Sequence, residues 1–146
     1  MADEIEVDQI ADALYRAAGL IVQRLRQLCS PQELTWPERT VLARLDRGGP
    51  STAAALEQAE QLYTAPIGVT LGSLEARKLV HGQPDDSYGS GQPVMSLTPS
   101  GLGLLRHDRA ARTALISKAL ADHLGVTDLR TLSRAVPVIE VLGTEL

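Results

Sequence analysis

The sequence predicts a mainly α fold carrying one small β-hairpin, and three observations predict it. Amphipathic helices stand at both ends: Ile10, Leu14, Ala17, Ile21, Leu25 and Leu28 form one apolar stripe, and Leu129, Leu132, Val136 and Ile139 form another. Between them, two short capped helices surround a tight turn, the pattern of a helix-turn-helix. After these, a Gly- and Pro-rich tip from Gly82 to Pro93 is flanked by strand-like pieces.

The first helix is predicted from Asp8 to Cys29 and is broken by Ser30-Pro31. Thr35 then precedes Trp36-Pro37-Glu38, giving an N-cap, an early proline and a Glu three residues after the cap. That second helix runs through Val41, Leu42 and Leu45 and stops at Gly48-Gly49-Pro50. Ser51 or Thr52 caps a short third helix holding Leu56. Past Gln61-Leu62-Tyr63 a fourth starts near Thr64, with Pro66 in its first turn, and buries Ile67, Leu71 and Leu74. Leu79-Val80-His81 and Val94-Met95-Ser96-Leu97 make the hairpin, whose tip is a wing. Thr98-Pro99-Ser100-Gly101 opens a fifth helix through Leu105, Leu115, Ile116, Ala119 and Leu120, and Gly125 separates it from the sixth.

These elements make one domain over residues 1–146: a winged helix-turn-helix lobe at 31–101 and a helical lobe built from 1–30 and 102–146. Nothing in a small lobe can cover the apolar faces of the terminal helices, so a homodimer formed through them is expected. No run of about 18 apolar residues offers a membrane span. The acidic start Met1-Ala2-Asp3-Glu4-Ile5-Glu6 lacks a secretory pattern, so a cytoplasmic location is expected. A single cysteine, Cys29, excludes an internal disulfide, and no Cys or His pair has zinc-ligand spacing; neither metal nor cofactor is expected. With no Phe, the core must come from Leu, Val, Ile and Ala. The net charge is −4, and residues 30–101 hold five basic against eight acidic groups, net −3. Such a balance argues against non-specific binding of nucleic acid, which needs clustered Lys and Arg.

Several phrases fall in a recognisable order. Leu34-Thr35-Trp36-Pro37-Glu38-Arg39-Thr40-Val41-Leu42-Ala43-Arg44-Leu45, Leu74-Glu75-Ala76-Arg77-Lys78-Leu79-Val80, Leu97-Thr98-Pro99-Ser100-Gly101 and Ala135-Val136-Pro137-Val138-Ile139 resemble the second helix, the exit of the recognition helix, the end of the wing and the last helix of the MarR family of bacterial regulators. The resemblance covers nearly the whole chain. It implies a homodimer whose recognition helices enter successive major grooves of a palindromic duplex while the wings reach flanking minor grooves. It also implies a small-ligand site between the two lobes. Departures fall at the DNA-contact positions: where the family commonly has Ser, Thr-Arg and, at the wing, Asp-Arg-Arg, this chain has Pro66, Gly68-Val69 and Gly89-Ser90-Gly91. Lys78 stands where the family usually has Gly.

On this reading Ser51, Thr52 and Thr64 meet phosphates at helix N-termini, Thr70 and Ser73 read the groove, and Arg77, Lys78 and His81 add phosphate contacts. Tyr15, Arg16, Trp36 and Arg39 are the candidates for a pocket taking an aromatic or anionic ligand. Cys29 sits at the end of its helix, whereas the family's peroxide sensors carry theirs nearer the beginning. Neither His107-Asp108 nor Asp122-His123 forms a ready acid–base pair, because adjacent helical residues point apart, and Glu57 with Glu60 reads as a solvated face. No nucleophile elbow, phosphate loop or metal motif is present, so an enzyme is not the expectation. The sequence thus favours a ligand-responsive, dimeric transcriptional regulator. Two rivals stay open: a scaffold that has lost DNA binding and uses its pocket for small-molecule binding or catalysis, and a subunit that pairs with a basic relative.

Overall fold

The computed structural model describes residues 4–28, 34–59, 66–84 and 91–146. Along the chain these form α1 (Glu4–Leu28), α2 (Trp36–Gly48), β1 (Ser51–Thr52), α3 (Ala53–Ala59), α4 (Ile67–Ala76), β2 (Val80–Pro84), β3 (Pro93–Leu97), α5 (Pro99–His123) and α6 (Val126–Glu145). The chain divides into two compact units, Met1–Asp108 and Arg109–Leu146, so the division falls within α5. The predicted break at Ser30-Pro31, Cys29 and the stretch Gln61-Leu62-Tyr63-Thr64 lie outside the described residues.

In the first unit, α2 starts at its predicted cap. The Thr35 hydroxyl accepts from the Glu38 N–H at 3.3 Å and the Glu38 carboxylate accepts from the Thr35 N–H at 2.9 Å, so both halves of the capping box form. The helix ends at Gly49, whose φ of 74° is one that glycine adopts without a side-chain clash.

The sheet differs from the two-stranded hairpin expected. It has three antiparallel strands in the order β1-β3-β2. Ser51 pairs with Met95 and Thr52 with Val94, while Val80 to Pro84 run opposite Leu97 to Pro93. The reason is a long-range pairing: a segment held extended just before a helix lies along the free edge of β3, whose backbone groups need partners. Thr52 also caps α3 as predicted, its hydroxyl accepting from the Ala55 N–H at 3.2 Å.

The core gathers Val41, Leu42 and Leu45 of α2, Leu56 of α3, Ile67, Leu71 and Leu74 of α4, Val80 and Met95 of the hairpin, and Leu105 of α5, together with Leu34 and Leu79. Leu42, Leu56, Leu74 and Val41 are fully buried. Each such side chain contributes about 1.5–3 kcal/mol through removal from water, which places the weight of the fold on aliphatic packing.

α4 closes in a Schellman motif: the Lys78 N–H donates to the Glu75 carbonyl at 2.9 Å and the Leu79 N–H to the Leu74 carbonyl at 2.9 Å. The motif needs a left-handed residue at Lys78, which has φ 59° and is the sole positive-φ non-glycine among the described residues. The carbonyls of Lys78 and Leu79 are bound by the residue that precedes α5. The Thr98 N–H donates to the Leu79 carbonyl at 3.1 Å, the Thr98 hydroxyl donates to the Lys78 carbonyl at 2.7 Å, and that hydroxyl accepts from the Gly101 N–H at 3.0 Å. A Cβ on Gly101 would stand 2.0 Å from the Leu79 oxygen, so only glycine fits.

α6 of the second unit starts at Gly125, contains Pro137 and has no buried residue among its twenty. Leu132 at 36%, Val136 at 43% and Ile139 at 43% exposure lie on the stripe read from the sequence. In the first unit, Ile10, Ile21 and Leu28 of α1 are likewise exposed.

Two substitutions test this frame by chemical denaturation. Lys78→Gly relieves the left-handed strain and should raise stability by about 1 kcal/mol. Gly101→Ala forces backbone apart and should lower it by about 1–3 kcal/mol.

Candidate nucleic-acid interface

α4 has two faces. Ile67, Thr70, Leu71 and Leu74 recur at helical spacing and are buried, while Gly68, Val69, Gly72 and Ser73 are exposed. Thr70 therefore does not serve as a groove reader: it is 5% exposed, and its hydroxyl donates to the Pro66 carbonyl at 3.5 Å. Its position on the inward stripe, four residues before Leu74, overrides its polarity. A Cβ at Gly68 or Gly72 would meet nothing within 4 Å, so the outward surface is smooth and open. α4 begins with Pro66 at its N-cap and no side-chain cap; Thr64 lies outside the described residues.

Ser73 and Arg77 are held from inside the lobe. Glu38, 5% exposed, accepts the Ser73 hydroxyl at 2.8 Å through Oε1 and the Arg77 guanidinium at 3.1 Å through Oε2, beside the capping bond from Thr35. Burial by itself would raise the Glu38 carboxyl. The Thr35 N–H, the Ser73 hydroxyl, the Arg77 charge and the Thr35 hydroxyl outweigh it and hold the pKa below the ordinary 4.5. The same carboxylate that starts α2 thus grips the far end of α4. Sequence reading found the capping box but not this second role; the signal available was the i, i+4 placement of Ser73 and Arg77 on one side of α4.

A second buried carboxylate holds the next residue of α2. Asp108 of α5 takes Arg39 of α2 in a two-pronged pair, Nε to Oδ2 at 2.5 Å and Nη2 to Oδ1 at 2.6 Å, and Nη2 also reaches the Leu34 carbonyl at 3.3 Å. The two side chains are 12% and 7% exposed. Asp108 was visible in the sequence only as the neighbour of His107.

Of the four ligand-pocket candidates, the structure joins Trp36 and Arg39, with the Arg39 guanidinium carbon 5.6 Å from the indole centroid. The α1 cation nearest that ring is Arg26, at 4.4 Å, not the predicted Arg16, which pairs with Asp12 one helical turn away at 2.8 Å. Tyr15 is 81% exposed. Ser51 lies in β1, Lys78 and His81 are exposed at the junction of α4 and the hairpin, and the His81 carbonyl accepts from the Ser96 hydroxyl at 3.3 Å. Gly89 and Ser90 of the wing lie outside the described residues. Asp122 pairs with Lys118, and among the described residues no cluster of His, Cys, Asp or Glu could hold a metal ion. No helix among them is long and apolar enough to cross a membrane.

Two consecutive short helices, α3 and α4, followed by an antiparallel hairpin, are the elements of a winged helix-turn-helix, in which α4 occupies the recognition position. No family model and no curated protein matches the chain. Solved structures do match over nearly its full length. A Pseudomonas aeruginosa protein provisionally classed as a transcriptional regulator superposes with a TM-score of 0.80 at 23% identity, covering 97% of this chain and 98% of its own. A MarR family protein of Bacillus stearothermophilus gives 0.74 at 18% identity, covering 97% and 98%. BpsR of Bordetella bronchiseptica, whose DNA binding is regulated by 6-hydroxynicotinic acid, gives 0.61 at 20% identity, covering 90% and 98%. The fold is the winged helix of the MarR regulators.

Asp108→Ala should lower stability by about 3–5 kcal/mol, because it leaves the Arg39 charge buried without its partner. A depressed carboxyl stabilises the folded state above its unfolded value and stops doing so as pH falls below it. Stability should therefore decline below about pH 4.5, and Glu38→Gln should flatten that decline in denaturation curves measured from pH 7 to pH 3 while lowering stability at pH 7.

Proposed function

We propose that the protein is a homodimeric transcriptional regulator that binds duplex DNA through α4 and the wing and responds to a small aromatic or anionic molecule. One observation carries the reading: the exposed face of α4, Gly68, Val69, Gly72 and Ser73, stands beside the exposed Lys78 and His81 in the recognition position of a winged helix. The unpartnered apolar stripes of α1 and α6 support dimerisation through the terminal helices. Trp36 with Arg26 over its ring supplies an aromatic wall and a cation, suited to a molecule of the kind that regulates BpsR.

In this mechanism Lys78 and His81, the backbone at the start of α4, and Thr52 at α3 meet phosphates, while α4 lies in the major groove. Arg77 already shares its charge with Glu38, which weakens its attraction for a phosphate relative to an arginine without a carboxylate partner. Ligand entry at Trp36 would shift the balance between two spacings of the recognition helices, with coupling equal in both directions.

A specific observation favours a second reading, a scaffold that has lost DNA binding and uses its pocket alone. Arg39 and Arg77 are already paired with Asp108 and Glu38, and residues 30–101 carry net −3. Selection from a random duplex pool at low salt, with thermal-shift screening of aromatic acids, separates the two. A palindrome is expected, released on adding a stabilising acid. No enriched duplex, together with a clear thermal shift, would establish the scaffold instead.

The salt dependence of binding provides a further check. With about two contacting cations per subunit, log K should fall with log salt at a slope no steeper than about −4; a slope near −8 would overturn this account of the interface.

A further inference from the structure

Val69 is 69% exposed, and among the described residues from 34 to 114 no other large aliphatic or aromatic side chain is exposed. Every other such side chain in that stretch is buried or half-buried, so its position on the outward face of α4 is singular. Its neighbours on that face, Gly68 and Gly72, have only open space where a Cβ would stand. Valine thus projects alone from the first turns of the helix. The first turn of α4 carries no acidic residue, so nothing there repels phosphate.

The size and chemistry of this feature select its partner. A stable protein interface needs about 800 Å² on each side with a packed apolar centre, which one valine between two glycines does not offer. A helix of ten residues is about 15 Å long, and lacking side chains at 68 and 72 it can approach the floor of the major groove closely. The apolar feature of that groove is the C5-methyl of thymine; the other edges present hydrogen-bonding groups. We propose that Val69 packs against a thymine C5-methyl in each half-site, so that this helix selects thymine by apolar contact where an arginine would select guanine. The inference rests on the DNA-binding reading above.

The test replaces thymine by deoxyuridine, one position at a time, in a duplex enriched from the random pool; the exchange removes one methyl and leaves the base pairing intact. Wild-type protein should lose about fourfold in affinity for each half-site at one thymine position, the effect of one buried methyl. Val69→Ala, which removes exposed atoms and leaves the core untouched, should bind the thymine and deoxyuridine duplexes equally. Thermal denaturation verifies that the variant is folded, and the wild-type measurement stands without it. Wild-type affinity unchanged by deoxyuridine at every position, or a Val69→Ala protein as sensitive as wild type, overturns the role of Val69 while DNA binding stands. A pool that yields no enriched duplex overturns the DNA-binding reading, and this inference with it.

Discussion

The winged lobe turns on the Glu38 carboxylate. Three donors from two helices converge on a group that burial alone would push towards its neutral form. A carboxylate so enclosed must be satisfied or expelled, and satisfying it fixes where the C-terminal end of α4 lies against the start of α2. Asp108 does the same for Arg39 on the neighbouring position of α2. Two successive residues of one helix thereby set the attitude of that helix towards the recognition helix and towards α5. The aliphatic core permits many close packings; these charged contacts choose among them.

That arrangement has a functional side. The groups that fix α4 are also the cations and hydroxyls that a DNA-binding surface would use. Arg39 is held by Asp108 and Ser73 by Glu38, Arg77 bonds Glu38 while its side chain stays partly exposed, and the outward middle of α4, Gly68, Val69 and Gly72, carries no charge. If the lobe binds DNA as proposed, it would discriminate by shape and by contact with methyl groups more than by charge, with weak long-range attraction to phosphate.

Much of the fold was legible in the sequence because its signals are local. The capping box at Thr35 and Glu38, the stop at Gly48-Gly49, the stripes of α1 and α6, and the turn chemistry around the hairpin each depend on residues within a few positions of one another. The third strand was not legible, since Ser51 and Thr52 become a strand only by meeting β3 more than forty residues later. Nor was the pairing of Arg39 with Asp108, 69 residues apart, or of Ser73 with Glu38, 35 apart. Thr70 was misread for a different reason: side-chain polarity was weighed above its place in the Ile67, Leu71, Leu74 stripe. Arg26 takes the place expected for Arg16 at Trp36 because it lies at the C-terminal end of α1, ten residues further along the helix.

The central place of β3 makes this short strand a ruler for the lobe. It holds β1, which runs directly into α3, on one side, and β2, which follows α4, on the other. The two helices of the helix-turn-helix are thus indexed to the same five residues. Adding or deleting one residue within Pro93–Leu97 would turn the residues on one side of the change to the opposite face of the sheet and put them out of register with β1 or β2. Length change inside this strand is therefore a change to both helices at once.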